Sequence, residues 1–167
     1  MSSVRSCSTP TTRRRSATCP IQKKTYVPSF DRAVVADSGF VVALFNPRET
    51  THGAAVAFVA ANQAPLITIQ GVIVETCFFL SPKGRRALLE WVARGGIELV
   101  DIPLPAYAQI GAIITRYQNL DPDFVDCALV WLAGEVNCKR ILTLDVTDFS
   151  AFRLPGNKRF KLIEWFA

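Results

Sequence analysis

Four acidic residues of this 167-residue chain lie within otherwise apolar stretches: Asp37, Glu75, Asp126 and Asp145. A carboxylate among apolar side chains loses hydration, so it needs a partner or gives up its charge. No lysine or arginine lies within four residues of Glu75 or Asp126. A divalent cation that prefers oxygen ligands, such as Mg²⁺, could be a common partner for several of these carboxylates.

Each acid also has a purely structural explanation. Asp37 could cap the helix that follows it, and Asp145 and Asp148 could be ordinary turn residues. Glu75 and Asp126 are harder to explain in this way, although either could hydrogen-bond to a buried backbone group. The residue types alone leave both explanations open.

The surrounding sequence alternates short apolar runs with helical segments. Strands are predicted at Ala33–Asp37, Leu66–Ile69, Glu98–Asp101, Ile141–Leu144 and Lys161–Ile163. Helices are predicted at Ser38–Phe45, Thr51–Asn62, Gly71–Leu80, Arg85–Arg94, Pro105–Tyr117 and Asp123–Glu135. The helix at Gly71–Leu80 is expected to be buried, and residues 81–84 are expected to form a turn. Apolar strands alternating with helices favour an α/β fold, with a parallel sheet covered on both faces.

This fold class predicts where the acids lie. Asp37 and Asp145 are expected at the carboxyl ends of the first and fourth strands, the edge at which α/β sheets bind ligands. Asp123 is a natural N-cap three residues before Asp126, so the two share one helix face. Asp148 is expected in the loop that leaves the fourth strand. The acids are therefore predicted to converge at one edge of the sheet.

Charge divides the chain into two parts. Residues 1–30 carry six lysines and arginines and no acid, while the remainder carries 13 basic and 14 acidic residues. We expect residues 1–30 to be a disordered basic tail and residues 31–167 to form one domain. The tail could be an arm that contacts RNA, a targeting peptide or an extension without function. Because the remainder is nearly neutral, the net charge of +5 is weak evidence for nucleic-acid binding.

Other chemistries lack their signatures in this chain. There is no GxxxxGK[ST] phosphate loop and no GxGxxG that opens a helix. His52 is the only histidine and lies in a polar stretch, which disfavours Ser-His-Asp catalysis. The five cysteines include no CxxC pair, which disfavours a zinc site and is typical of a reducing cytoplasm. Apolar runs are too short to cross a bilayer, so we expect a soluble protein without membrane association.

Four segments resemble, in order, the motifs of PIN-domain ribonucleases of the VapC toxin type. Asp37–Gly39 resembles the opening motif, and Val74–Thr76 carries the family's second acid. Leu120–Val130 and Ile141–Phe149 resemble the segments that carry the remaining acids. Each motif is weak alone, but four of them at suitable spacing are specific. The likeness extends over residues 34–163.

The resemblance implies a three-layer α/β/α sandwich with a central parallel sheet, and a metal-dependent endoribonuclease that cuts single-stranded RNA. It implies that the acids hold Mg²⁺ or Mn²⁺, which would generate hydroxide and leave a 5′-phosphate and a 3′-hydroxyl. The implied residues are Asp37, Glu75, Asp126 and Asp145 as metal ligands, Asp123 and Asp148 as auxiliary candidates, and Ser38 and Thr143 as groups that orient carboxylates or water. A homodimer and a small antitoxin protein that blocks the site are also implied.

The main alternative is a PIN-like module that binds RNA or protein without cutting it. Such a module is expected to have lost one or more acids, whereas all four are present here. A DNA nuclease of the related flap type would need a larger chain with DNA-clamping insertions. RNA cleavage with and without Mg²⁺ separates the enzyme from the non-catalytic module.

Overall fold

The computed structural model describes Phe30 and residues 32–166. The strands are Val34–Ala36 (β1), Leu66–Thr68 (β2), Glu98–Leu99 (β3), Arg140–Leu142 (β4), Arg153–Leu154 (β5), Lys158–Arg159 (β6) and Lys161–Leu162 (β7). The helices are Ser38–Phe45 (α1), His52–Ala61 (α2), Gln70–Phe79 (α3), Pro82–Ala93 (α4), Leu104–Arg116 (α5), Phe124–Glu135 (α6) and Val146–Ala151 (α7). Short 3-10 turns lie at Gln118–Leu120 and Pro155–Asn157.

Five of the strands form a parallel sheet in the order β3-β2-β1-β4-β7. Every residue of β1 and β2 is buried, as expected where helices cover both faces of a parallel sheet. The predicted α/β fold, a central parallel sheet flanked by helices, is thereby confirmed. β5 and β6 form a separate antiparallel pair.

The core is built around the sheet and α6. Seven consecutive residues of α6, 127–133, are buried, and this helix packs against α5. On another part of the sheet, α1 packs against α2 and α3. A helix that is apolar on all sides lies in the interior, so α6 holds its polar first turn at a fixed position relative to the strands.

Phe30 also belongs to the core. Its side chain is only 5% exposed, and its carbonyl accepts a hydrogen bond from the Ala33 N–H at 2.7 Å. The last residue of the predicted basic tail therefore packs with the folded part of the chain. Residues 1–29, to which the prediction of a disordered tail otherwise applies, lie outside the described residues.

Several elements differ from their predictions. α4 begins at Pro82, inside the predicted turn, because the Ser81 hydroxyl caps it by accepting the Gly84 N–H at 3.3 Å. The segment after β4, expected to be a loop, contains α7. The β5–β6 hairpin was not predicted, since two-residue strands are too short to show a periodicity.

The prediction that the third helix is buried is wrong for one of its faces. Val72, Ile73 and Thr76 of α3 are buried, but Phe78 and Phe79 are 78% and 64% exposed. An apolar sequence indicates burial only when the fold supplies a covering element, and this chain supplies none there among its described residues. No helix of the described part of the chain is long and apolar enough to span a membrane.

Candidate active site

Asp37 lies where β1 ends and α1 begins, at the carboxyl edge of the sheet. It is buried, and its Oδ1 caps α1 by accepting the Ser38 backbone N–H. The Ser38 hydroxyl donates to Oδ1 at 3.2 Å, and the Thr143 hydroxyl donates to Oδ2 at 2.8 Å. Burial raises the pKa of this carboxyl, the Thr143 and Ser38 donors oppose the rise, and the charge of Asp123 adds to it.

Thr143 connects Asp37 to the next acid along the chain. Its hydroxyl oxygen donates to Asp37 and accepts the backbone N–H of Asp145 at 2.8 Å. Thr143 is buried just beyond the end of β4, the strand that pairs with β1. One hydroxyl thus ties the loop after β4 to the carboxylate after β1. The resemblance implied that Thr143 orients a carboxylate or water, and this role stays a prediction.

Asp145 was predicted to end the fourth strand. It lies three residues beyond the end of β4 instead, as the N-cap of α7. Its Oδ1 accepts the Asp148 N–H at 2.9 Å. Asp148, predicted in a loop, therefore lies in the first turn of this helix. An aspartate favours the start of a helix when its side chain can accept a backbone N–H from the first turn. At Asp145 the start of α7 therefore replaces a continuation of β4. Burial and the charge of Asp145 raise the pKa of Asp148.

Glu75 reaches the same region from α3, the helix that packs against α1. Its side chain is partly exposed, and desolvation is the largest cause of its raised pKa. The Ser38 hydroxyl lowers this pKa by hydrogen bonding, and the charges of Asp123 and Asp37 raise it. Because such interactions weaken with distance, Glu75 belongs with the acids of β1 and α6.

Asp123 and Asp126 enter from the first turn of α6. Asp123 caps the helix, its Oδ1 accepting the Asp126 N–H at 2.8 Å, as its sequence predicted. Burial raises the pKa of Asp126 to about 8, with further contributions from the charges of Asp123, Asp37, Asp145 and Asp148. A carboxyl with this pKa is mostly protonated at neutral pH, which is the expected response of a crowded acid to its neighbours.

The six predicted acids therefore share one end of the sheet, contributed by β1, α3, α6 and the β4–α7 connection. Both ion pairs found among residues 32–166 involve Glu90 of α4, with Arg86 and Arg94 as its partners. Within that part of the chain, the acids have no cationic side chain as a partner. In addition to burial, the negative charges of neighbouring acids therefore raise the pKa values of Asp37, Glu75, Asp126 and Asp148.

A divalent cation fits the chemistry of this donor set, which consists of carboxylate oxygens. As the side chains stand, no three Asp, Glu, His or Cys residues of the described chain are close enough together to hold a metal ion. Asp123 and Asp145 each direct one carboxylate oxygen into a helix cap. Each retains a second carboxylate oxygen, so capping and coordination are compatible.

His52 takes no part in the cluster. Its Nδ1 lies 2.8 Å from the backbone oxygen of Ala43 in α1, so the polar side of the imidazole ring has a hydrogen-bond partner there. The absence of a histidine among the coupled acids agrees with the sequence evidence against Ser-His-Asp chemistry.

An apolar groove of about 840 Å³ opens beside Glu75 and was not predicted from the sequence. Its walls come from α3, α5 and α6, and include Phe78, Tyr107 and Phe124. The rings of Tyr107 and Phe124 stack with centroids 5.9 Å apart. The signal in the sequence was the pair Phe78 and Phe79, which the burial prediction for α3 assigned to the core.

Comparisons with known proteins agree with this architecture. A sequence model of the PIN domain matches residues 34–153. The chain is 28% identical over 134 residues to Ribonuclease VapC26 of Mycobacterium tuberculosis (strain ATCC 25618 / H37Rv), covering 78% of this chain and 99% of that protein. It also resembles the crystal structure of Mycobacterium tuberculosis VapC20, described as a Sarcin-Ricin loop cleaving toxin. That match has a TM-score of 0.57 and 20% identity over 65% of this chain and 86% of VapC20, and concerns the fold.

Proposed function

Because this chain belongs to the PIN-domain family, we propose that it is an endoribonuclease that hydrolyses phosphodiester bonds of single-stranded RNA. The observation that carries the proposal is the coupled acid cluster, in which the pKa of Asp126 rises to about 8. Acids crowded in this way destabilise the fold unless a cation joins them, so their arrangement points to function. The likeness to a ribonuclease over nearly that protein's whole length supports RNA as the substrate.

The proposed metal ligands are Asp37, Glu75, Asp126 and Asp145, with Asp123 and Asp148 as auxiliary ligands. A bound Mg²⁺ or Mn²⁺ would lower the pKa of a coordinated water and neutralise charge on the phosphate. The pKa of about 8 keeps Asp126 mostly protonated near neutral pH, and this carboxyl would have to give up its proton to serve as a metal ligand.

Ser38 and Thr143 are the proposed positioning residues. Together they give the Asp37 carboxylate three hydrogen-bond donors, which fix the orientation of both of its oxygens. Thr143 also fixes the backbone that precedes the cap of α7. A carboxylate held in this way needs little reorganisation when a ligand arrives.

We extend the proposal to the toxin of a toxin–antitoxin pair, with an antitoxin protein that blocks the site. Its support is the likeness to Ribonuclease VapC26 and the fold shared with VapC20, a toxin. We also propose a cytoplasmic location, which is compatible with an RNA substrate and with the free thiols of Cys77, Cys127 and Cys138.

A homodimer is proposed from the large exposed apolar side chains of α3 to α6. They are Val74, Phe78, Phe79, Leu89, Leu104, Tyr107 and Phe124, and all are at least 40% exposed. A surface of this kind on a folded chain is typical of a protein–protein interface.

The test is cleavage of a single-stranded RNA by the full chain in Mg²⁺ or Mn²⁺, with and without excess chelator. Cleavage should require the cation, and Asp126→Asn should abolish most of it. Asp121→Asn is a matched control, because Asp121 has a positive φ of 51° that asparagine tolerates and is not among the coupled acids. Binding of RNA without any cleavage would support the non-catalytic alternative, and full cleavage in chelator would exclude the metal mechanism.

A further inference from the structure

A second charged region lies at the amino ends of β4 and β7, at the other end of these strands from the acids. Its members are the exposed basic residues Lys139, Lys158, Arg159 and Lys161, which we call the basic edge. Residues 135–164 contain six lysines and arginines and four acids, and two of those acids, Asp145 and Asp148, belong to the candidate active site. The basic edge therefore has a local charge that the near-neutral total for residues 31–167 conceals.

The fold assembles this edge from two separate segments. The Lys161 N–H donates to the Lys139 carbonyl at 2.7 Å, and Lys161 pairs in register with Arg140, the residue after Lys139. Phe160 is buried against Phe149, with ring centroids 5.5 Å apart, while Arg159 and Lys161 on either side of it are exposed. A buried aromatic residue thus anchors a segment whose two flanking cations face solvent.

The bases of this edge have no structural task in the described chain. The ion pairs found between residues 32 and 166 both lie on α4, and none includes Lys139, Arg159 or Lys161. Exposed cations without acidic partners add little to stability, but they raise the electrostatic potential of a surface and attract polyanions.

A further base, Arg140, lies next to the basic edge. Arg140 is partly buried at the start of β4, where its Nε donates to the Ala33 carbonyl at 3.2 Å. Ala33, which accepts this bond, is buried directly before β1. The six coupled acids thus lie at the carboxyl end of the sheet, while this group of bases lies at the amino ends of β4 and β7.

We propose that the basic edge binds the phosphate backbone of the RNA whose scissile bond lies at the acids. This inference rests on the proposed function. The acid cluster repels phosphates, so affinity for the rest of the strand must come from cations elsewhere, and phosphate contacts set its register. From Arg140 to Asp145 the extended chain spans at most about 17 Å, a distance that a few nucleotides cover.

The test compares Lys139→Gln/Arg159→Gln/Lys161→Gln with Lys83→Gln/Arg86→Gln/Arg94→Gln in the full chain. The control removes Lys83 and Arg86 of α4 and Arg94 at its C-cap, all of them exposed. α4 lines a groove together with Leu99 of β3, the edge strand farthest from β7. Binding of a single-stranded RNA on the order of 10 nucleotides is measured in chelator at several salt concentrations. The basic-edge variant should lose affinity about tenfold, and its dependence of log K on log salt should be shallower by about 2.

A kinetic measurement adds a second readout. For the parent, kcat/KM for this RNA is compared with that for a dinucleotide, which cannot reach from the acids to the basic edge. The ratio of long to short should fall about tenfold in the basic-edge variant, mainly through KM, and should not fall in the α4 control. Melting temperatures close to that of the parent would show that both variants are folded.

Three results overturn the inference. They are equal losses in the two variants, no loss in either, and a loss in the control alone. If the basic edge bound an acidic protein in place of RNA, the basic-edge variant would bind RNA as the parent does, and the inference would be wrong. If the parent binds RNA but cuts nothing, the proposed function fails while the binding comparison still decides about the basic edge. If the parent cuts RNA and the variant binds it equally well, only this inference fails.

Discussion

The two ends of the parallel sheet differ in both charge and solvation. At the carboxyl end, Asp37 is buried, and Glu75 and Asp126 are partly buried beside other acids. At the amino end, Lys139, Arg159 and Lys161 stand in solvent without acidic partners among the described residues. Burial makes the acids costly to ionise, whereas the exposed bases act by attraction at a distance. The sheet therefore carries the proposed catalytic site at one end and the proposed RNA-binding surface at the other.

The largest expected effect concerns the acid end. Asp126→Asn keeps the shape of the side chain and removes one of the coupled charges, so RNA cleavage should fall on the order of a hundredfold or more. Without metal, the variant should be as stable as the parent or more stable, by roughly 0–2 kcal/mol. Cleavage rates and melting temperatures, each with and without Mg²⁺, measure both effects.

A structural role for Asp126 predicts the reverse. If its carboxyl mainly bonded to backbone donors, the asparagine variant would melt lower in both conditions and still cut RNA. The Mg²⁺-induced gain in melting temperature should also shrink in the variant, since that gain depends on affinity. Asp121→Asn should behave like the parent in all of these measurements.

Thr143→Val tests the connection between Asp37, which follows β1, and Asp145, which lies beyond β4. The variant loses the donor to Asp37 and the acceptor for the Asp145 N–H, so cleavage should fall about tenfold to a hundredfold. Stability should fall by about 1–3 kcal/mol, because a buried carboxylate and an N–H lose a partner. Thr143→Ser keeps the hydroxyl and should restore most of the activity. A valine variant with parental cleavage would remove Thr143 from the site.

The pH dependence of stability should separate the two ends further. The pKa of Asp126 in the folded chain, about 8, exceeds the usual value near 4 of an unfolded chain, so its proton favours the folded state. This contribution is complete below pH 4 and is lost as the pH rises to about 8. After a discount for solvent screening of a partly exposed group, the metal-free protein should lose roughly 1–2 kcal/mol over this range.

Asp126→Asn should flatten that slope, and saturating Mg²⁺ should reduce it, because a cation favours the ionised acids. The measurement is the free energy of unfolding between pH 4 and 8, in chelator and in Mg²⁺. An equal slope in parent and variant would show that the acid cluster is not the source of the pH dependence.

The smallest effect is expected at the basic end. Lys139→Gln/Arg159→Gln/Lys161→Gln should change stability by no more than about 0.5 kcal/mol, because exposed charges without partners contribute little. Denaturant unfolding at low and high salt would measure it. A loss of several kcal/mol would mean that these bases stabilise the fold. The two ends of the sheet would then differ only in the sign of their charge.

Local sequence was sufficient for the elements that carry most of the site. The β-branched run before Asp37 predicted β1, and the predicted bounds of α1, Ser38–Phe45, are those observed. Asp123 predicted the start of α6, because a side-chain oxygen before an apolar helix satisfies a free backbone N–H. These features depend on residues near in sequence, and a single chain displays them directly.

Other features were beyond local patterns. Asp145 was expected at a strand end and is a helix cap, since α7 is only six residues long and gives a weak periodic signal. Phe78 and Phe79 read as core residues, although the fold leaves them exposed. The burial of Phe30 depends on the hydrophobic core of the whole domain, while its neighbours in sequence indicate a polar tail.

The sequence by itself determined the class of fold and the identity of the acids, because apolar periodicity and isolated carboxylates are visible along the chain. Only the tertiary structure decided which acids share a charge environment, how Thr143 joins two of them, and that Lys161 lies beside Arg140 on the neighbouring strand. Desolvation, charge coupling and strand register depend on atoms that are distant in sequence and adjacent in space, so they arise only when the chain folds.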